Sequence, residues 1–329
     1  MAHYAKPWLT IDEQIDRLVE RGVIIPNRSD AQALLRSIGY YRLTGYLYPF
    51  RKSETFRDEV GNDRLRVLST YREATTIGNA AALIDFDRTL RLLTLDAVER
   101  IETTLRTRIG YTIGKVDAFA HEDPSIFIDS FTRAGTAGPD GSPLPSRHEA
   151  WLSRVEQRRN SSDEAFVMHF RLKYDNRMPI WALTELLELG HLSRLYAGLR
   201  NDLATSIAEE FGVPTKRLLD SWIATTNYVR NVAAHHARFF NRKLVVAPKR
   251  PKPDQVPLLA HLGSVQAPKQ FGSYNALAVM AYLMRVIEPN GDWPRRLAAH
   301  LRAFPSGKHI DQGSMGIAAG WLESDLWNN

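Results

Sequence analysis

Arg230-Asn231-Val232-Ala233-Ala234-His235-His236 sets an Arg-Asn dipeptide three small residues ahead of a histidine pair, with Arg238 just beyond. A guanidinium can hold a phosphate and stabilise developing negative charge, an imidazole can take or give a proton near neutral pH, and a carboxamide can orient either group. Together these residue types suit cleavage of RNA without a metal. On that reading Arg230, Asn231 and His235 are the candidate catalytic residues. His236 and Arg238 are candidates for holding substrate.

The segment reads as the end of a helix running from about 215 to 238. On an ideal helix Asn231, His235, Arg238 and Arg242 fall on one stripe. Arg230 does not: five residues at 100° each set it about 140° from His235, so its side chain must reach around or the helix must be distorted. Two copies facing one another offer a further way to pool the groups. A different outcome is that His235 packs in a helix interface while Arg230 pairs with a carboxylate. A zinc site is a third, needing His169 or His191 with a carboxylate, because adjacent histidines on a helix diverge.

Several other elements have to carry this segment. Thr10 with Glu13 forms a capping-box pattern for a first helix bearing Ile11, Ile15, Leu18 and Val19, which Arg21-Gly22 ends. After Pro26, Ser29 or Asp30 can cap a second helix with Ala33, Leu34 and Ile38. Residues 80–113 show the clearest period, with Phe86, Leu90, Leu93, Ala97, Ile101, Leu105 and Ile109 on one stripe. Asp87 with Arg91, Asp96 with Arg100 and Glu102 with Arg106 occupy its charged face four apart.

The Gly, Pro, Ser and Thr content near 133–146 predicts a flexible loop. Helices are expected at 148–159, 161–174 (capped by Ser161 or Ser162), 180–199 and 202–211. Beyond the prolines of 249–257 a buried helix at 271–288 and a short basic one at 293–304 follow. No convincing period-two run exceeds Lys243–Ala247, so the fold class predicted is all-α, a multi-helix bundle. Its expected parts are an N-terminal helical module over 1–75, a core over 76–250 and a C-terminal helical extension over 251–329.

Composition bounds the function. Hydrophobic residues make up 44% and charged ones 24%, typical of a globular chain. Absence of cysteine removes thiol nucleophiles and Cys-based zinc sites. The residues around Trp8 lack a signal-peptide core, and no run approaches the ~20 apolar residues of a membrane span. A cytoplasmic protein with no membrane partner is therefore expected. Lys and Arg exceed Asp and Glu by 43 to 37, a net +6 that favours anionic partners. There is no Walker-type glycine loop and no Gly-x-Ser-x-Gly elbow.

Two further clusters bear on an RNA reading. Tyr40, Tyr41, Arg42, Tyr46, Tyr48 and Arg51 can stack on bases and hold a backbone, or simply pack between helices. Glu99, Glu102, Arg106 and Arg108 can border a cleft or form a solvated helix face. Arg42 and Arg106 complete the candidate substrate-binding set.

Arg-Asn-x-x-Ala-His-His-x-Arg, followed by an aromatic and Asn241, resembles the signature of the Abi-like (abortive infection) proteins of bacteria. The resemblance takes in the Leu9–Gly22 helix, Gly39-Tyr40-Tyr41-Arg42-Leu43-Thr44-Gly45-Tyr46, Asp85-Phe86-Asp87-Arg88, Glu99-Arg100-Ile101-Glu102 and Arg106-Thr107-Arg108. It continues through Glu164-Ala165-Phe166, His169-Phe170, Lys173-Tyr174, Pro179-Ile180-Trp181 and Gly190-His191-Leu192-Ser193, covering most of residues 8–245.

That resemblance implies a HEPN-like helical fold, whose signature is Arg, a polar residue and His four to six positions on. Arg230, Asn231 and His235 match it. It further implies a metal-independent endoribonuclease of an abortive-infection or toxin–antitoxin-like phage defence system, without a cofactor and acting as a homodimer. The 2′-hydroxyl would attack the adjacent phosphorus and leave a 2′,3′-cyclic phosphate. The alternative in the same class of partner is a non-cleaving RNA-binding protein in complex with a small noncoding RNA. A DNA-binding role for the N-terminal helix pair is weaker, since no recognition helix rich in Arg, Gln or Asn is evident.

Overall fold

The computed structural model describes residues 3, 5, 7–136, 142–264, 267–268, 270 and 272–328. Residues 137–141 of the expected loop lie outside them, as does residue 271, where a helix was expected to begin. Among the described residues the fold is all-α apart from one two-stranded hairpin. In chain order the elements are α1 (Ile11–Glu20), α2 (Arg28–Ile38), α3 (Tyr40–Leu47), β1 (Arg51–Arg57), β2 (Asp63–Tyr71), α4 (Ile77–Gly114), α5 (Asp129–Thr132) and α6 (Arg147–Asn160). They continue with α7 (Ala165–Lys173), α8 (Ile180–Leu186), α9 (Leu189–Gly198), α10 (Asn201–Glu210), α11 (Lys216–Ala234), α12 (Ser273–Ile287), α13 (Trp293–Arg302) and α14 (Asp325–Asn328).

The chain forms two compact units, residues 1–90 with 300–314 and residues 91–299 with 315–329. In the first, the Thr10 hydroxyl accepts from Glu13 N–H and Glu13 accepts from Thr10 N–H, the predicted capping box. The second helix begins two to three residues earlier than a cap at Ser29 or Asp30 would set it. Asn27 caps it by accepting from Ser29 and Asp30 N–H, and its buried residues are Ala31 and Leu35. Arg28, in its first turn, bridges to Asp12 and Asp16 of α1. Tyr46 is buried and donates its hydroxyl to Asp87 at 2.6 Å, so that carboxylate faces the core rather than solvent. His300 donates Nε2 to the Phe86 carbonyl at 2.9 Å and stacks on the Phe86 ring.

The hairpin β1–β2 is an addition to the expected helices, and Lys243–Ala247 forms no strand. Its faces are mostly exposed and carry cross-strand pairs such as Arg66 with Glu54. With most of both faces in solvent, only the short alternation of Arg64-Leu65-Arg66-Val67 is there to read.

In the second unit the apolar stripe of α4 is buried throughout as predicted, from Leu93 to Ile109. Arg100 reaches Asp96 at 2.7 Å and Glu288 at 2.6 Å. α11 buries Leu218, Trp222, Thr226 and Val229, with Trp222 Nε1 donating to the Lys249 carbonyl. α12 is buried nearly all round. Ser146, rather than the residue at 148, starts α6 with a capping box. Ser161 ends that helix instead of capping the next, which begins at Ala165. The long helix expected over 180–199 is two helices, α8 and α9, parted at Leu187 and Glu188.

Candidate active site

α11 brings Arg230 and Asn231 to its last turn and then stops. Ala234 is its final helical residue and His235 its C-cap, so the stripe expected to run on through Arg238 and Arg242 does not exist. His236 takes φ 55°, its N–H donates to the Ala233 carbonyl, and Ala237 N–H donates to the Val232 carbonyl. This pair of bonds is a Schellman termination, in which the left-handed position usually holds glycine. A histidine there carries roughly 1–2 kcal/mol of backbone strain.

The chain then turns back. Phe239 and Phe240 are fully buried, and Arg242 donates to the Arg238 carbonyl at 3.0 Å and to the Tyr228 hydroxyl at 3.4 Å. His235 and His236 are therefore exposed on a corner clamped on both sides. Helix termination leaves the angle between Arg230 and His235 as it was, because His235 still donates its N–H to the Asn231 carbonyl as a helical residue does, and the chain leaves the helical path only at His236.

Arg230 is half-buried and donates Nη1 to Asn231 Oδ1 at 3.0 Å. Beside it lies Glu102 of α4, whose side chain is 14% exposed. Burial pushes the Glu102 carboxyl up, Arg106 and then Arg230 pull it back, and Glu188 adds repulsion. The break between α8 and α9 explains why these groups meet. Arg106 donates Nε to the Leu187 carbonyl at 3.1 Å, serving the end of α8, and Nη2 to Glu102 at 2.5 Å. Leu189 N–H, at the start of α9, faces Glu102 and pulls its carboxyl down. The ion pair on α4 thus sits against both helix ends where the helix breaks, and its arginine supplies a partner that the end of α8 lacks. Neither Leu187 nor Glu188 signals a break in the sequence.

The same α4 ridge continues through Gly110 and Gly114 beneath Trp181, where a Cβ at Gly114 would lie 2.8 Å from the indole. α9 packs its Gly190 against the Asn227 side chain of α11, which fixes the last turns of α11 over the α8–α9 junction. Sequence reasoning missed Glu188 and Asn227. The only local signal was the small residue Gly190.

The structure thus brings together Arg230, Asn231, Glu102 and Arg106, with His235 and His236 one turn on. Arg238 is half-buried after the termination. Arg106 holds helix ends and is 22% exposed, which gives it a positioning part. Glu102 and Arg106 form a half-buried face, while Arg108, two residues on and turned to the other side of α4, is stacked on Phe211 at 3.9 Å; Glu99 is exposed. Arg42 lies on α3 of the first unit, 5.9 Å from the Tyr46 ring. Of the aromatic residues near it, Tyr41 and Tyr48 are exposed while Tyr46 is occupied in the core.

His191 is half-buried, and burial holds its imidazole below the ordinary range. Among the described residues no three His, Asp or Glu side chains gather in a way that could hold a metal ion. No helix among them is long and apolar enough to cross a membrane.

No curated protein and no solved structure matches the chain. A family model described as Abi-like protein matches residues 33–241, more than half of the sequence and a span that holds Arg42, Arg106 and the whole Arg230–Arg238 segment. The chain belongs to the Abi-like protein family.

Proposed function

We propose that this protein is a metal-independent endoribonuclease of the HEPN type that acts in abortive-infection defence, with two copies pairing across the ends of α11. The observation that carries the reading is the corner where half-buried Arg230 is followed by exposed Asn231, His235 and His236, terminated by a tight turn and backed by the Glu102–Arg106 pair. Family membership fits abortive infection, and the positive balance fits an anionic substrate.

His235 takes the proton of the 2′-hydroxyl as that oxygen attacks phosphorus. Arg230, held by Asn231, stabilises the charge that gathers on the phosphorane oxygens. The bond to the 5′-oxygen then breaks, and a proton from the facing copy's His235 completes a free 5′-hydroxyl beside a 2′,3′-cyclic phosphate. His236 and Arg238 contact the strand. Arg42, on α3 of the first unit, is a further proposed contact to RNA. Arg106 acts through the helix ends that carry Arg230, as a positioning residue.

Purified protein incubated with RNA in EDTA tests this. Wild type should cut, leaving 2′,3′-cyclic phosphate ends, while Arg230→Ala and His235→Ala lose on the order of 10² to 10⁴ in rate. Cleavage that needs an added divalent metal, or that survives both substitutions, would overturn it. If His235→Ala leaves RNA binding and the cellular effect intact, the protein is the non-cleaving partner of a small RNA. Light scattering checks the dimer.

A further inference from the structure

A second site lies in the same unit, where α7 turns into α8. Phe119, His169, Phe170, Tyr174, Arg177 and Trp181 line an open cleft of about 540 Å³, within the roughly 300–1,000 Å³ typical of small-ligand sites.

Its form follows from local geometry. Asp175 and Asn176 take φ 50° and 60°, reversing the chain after α7, and Arg159 of α6 pins the turn by donating to the Asn176 carbonyl. The reversal sets the Arg177 guanidinium over the Phe119 ring at 3.9 Å, where it also meets Glu122 at 3.0 Å. Tyr174 and Trp181 remain 48% and 52% exposed although each has a packed neighbour. Aromatic faces left open in this way cost solvation unless something flat covers them.

The lining holds an arginine and a histidine, the Glu122 carboxylate beside it is paired with Arg177, and Lys173 Nζ lies 5.6 Å from the Tyr174 ring. Lys115, just ahead of Ala118, is exposed. A flat π-system carrying negative charge fits these groups better than an apolar or cationic one.

We infer that this cleft binds the base of a nucleotide, stacked among Tyr174, Trp181 and Phe170, with its phosphate toward Arg177 and Lys173. The site extends the RNA reading and rests on it only for the source of the nucleotide. Trp181 and the Leu187 carbonyl lie at opposite ends of α8, against Gly114 and Arg106 of one α4 ridge. Eight residues of helical rise separate those two points by about 12 Å. A strand anchored here would therefore have its neighbouring nucleotides near Arg230.

The test uses the full chain with His235→Ala, so that the strand stays whole. A short single-stranded oligoribonucleotide containing 2-aminopurine is titrated in, and adenosine monophosphate is titrated separately. Stacking should quench the 2-aminopurine emission. Tyr174→Leu and Arg177→Gln should each weaken binding about tenfold or more and restore the emission. Both variants are checked by circular-dichroism melting, and Arg177, being exposed, keeps the test open if Tyr174→Leu unfolds.

Tighter binding of the oligonucleotide than of the mononucleotide makes a strand the source; equal binding makes it the free nucleotide. Unquenched emission, or unchanged affinity in both variants, overturns the inference. Cleavage by the chain with native His235 alongside such a failure would leave the nuclease reading standing. Nucleotide binding without cleavage would do the reverse.

Discussion

His121 and His261 are folded into the protein, whereas His235 and His236 are held out of it. The His121 carbonyl accepts from His148 Nε2 at 2.9 Å, and His261 Nε2 meets the Tyr274 hydroxyl at 3.0 Å. Burial depresses the imidazoles of both His121 and His261 to about 4, which leaves them neutral at ordinary pH. The His121 ring packs edge-on against Trp151, and a ring nitrogen of His261 is taken up by Tyr274. The pair at the end of α11 is exposed, at a strained turn one helical turn beyond Arg230. Histidine count therefore says little about chemistry here; the difference lies in what the backbone does around each ring.

The comparison breaks first at catalysis. His235→Ala should cost on the order of 10² to 10⁴ in RNA cleavage, while His121→Asn and His261→Asn should leave cleavage unchanged and alter only folding. Gel assays of the three variants under one condition check this, and a cleavage defect as large in His121→Asn as in His235→Ala would erase the distinction.

Next comes pH. A histidine with a depressed folded pKa binds fewer protons folded than unfolded. The stability it allows is complete above the unfolded value of roughly 6.5 and is lost as pH falls toward about 4. Between pH 7.5 and 5 each of the two should remove roughly 2 kcal/mol. Denaturant midpoints across that range measure the loss, and His121→Asn should flatten the slope by about half.

A smaller effect separates the two members of the pair under the motif. Arg106→Ala leaves the Leu187 carbonyl without its donor and Glu102 without its partner, so it should cost about 2 kcal/mol. Glu102→Gln keeps an oxygen facing Leu189 N–H and removes a charge that burial disfavours, so it should cost under about 1 kcal/mol. Thermal melts that rank them the other way would show that the pair is not what supports the α8–α9 break.

The smallest concerns the turn itself. His236→Gly relieves the positive φ and should stabilise by up to about 1 kcal/mol, while His236→Val should destabilise. If the strain serves substrate contact, the glycine variant gains stability and loses cleavage together.

How far these features were legible depended on what caused them. The α4 stripe, the α1 capping box and the buried α12 could be read because periodicity and caps are local properties of the chain. The exposed, charged hairpin could not, since most of both faces stays in solvent and the alternation of Arg64-Leu65-Arg66-Val67 is too short to mark a strand. The α8–α9 break arises from Arg106 and Glu102, 81 residues before Leu187 in the case of the arginine. The end of α11 was invisible because Ala233 and Ala234 favour helix, and the Phe239–Phe240 anchor that forces the turn follows it. The motif residues were identifiable by type; that His235 caps a helix instead of riding on one was not.

The most direct measurement of the central claim compares two RNAs that differ by a single 2′-hydroxyl at a mapped cleavage position, each incubated with the wild-type chain in EDTA. The account predicts that the all-ribose strand is cut there to a 2′,3′-cyclic phosphate and that the 2′-deoxy linkage stays whole. Cleavage of both strands at equal rates would contradict it.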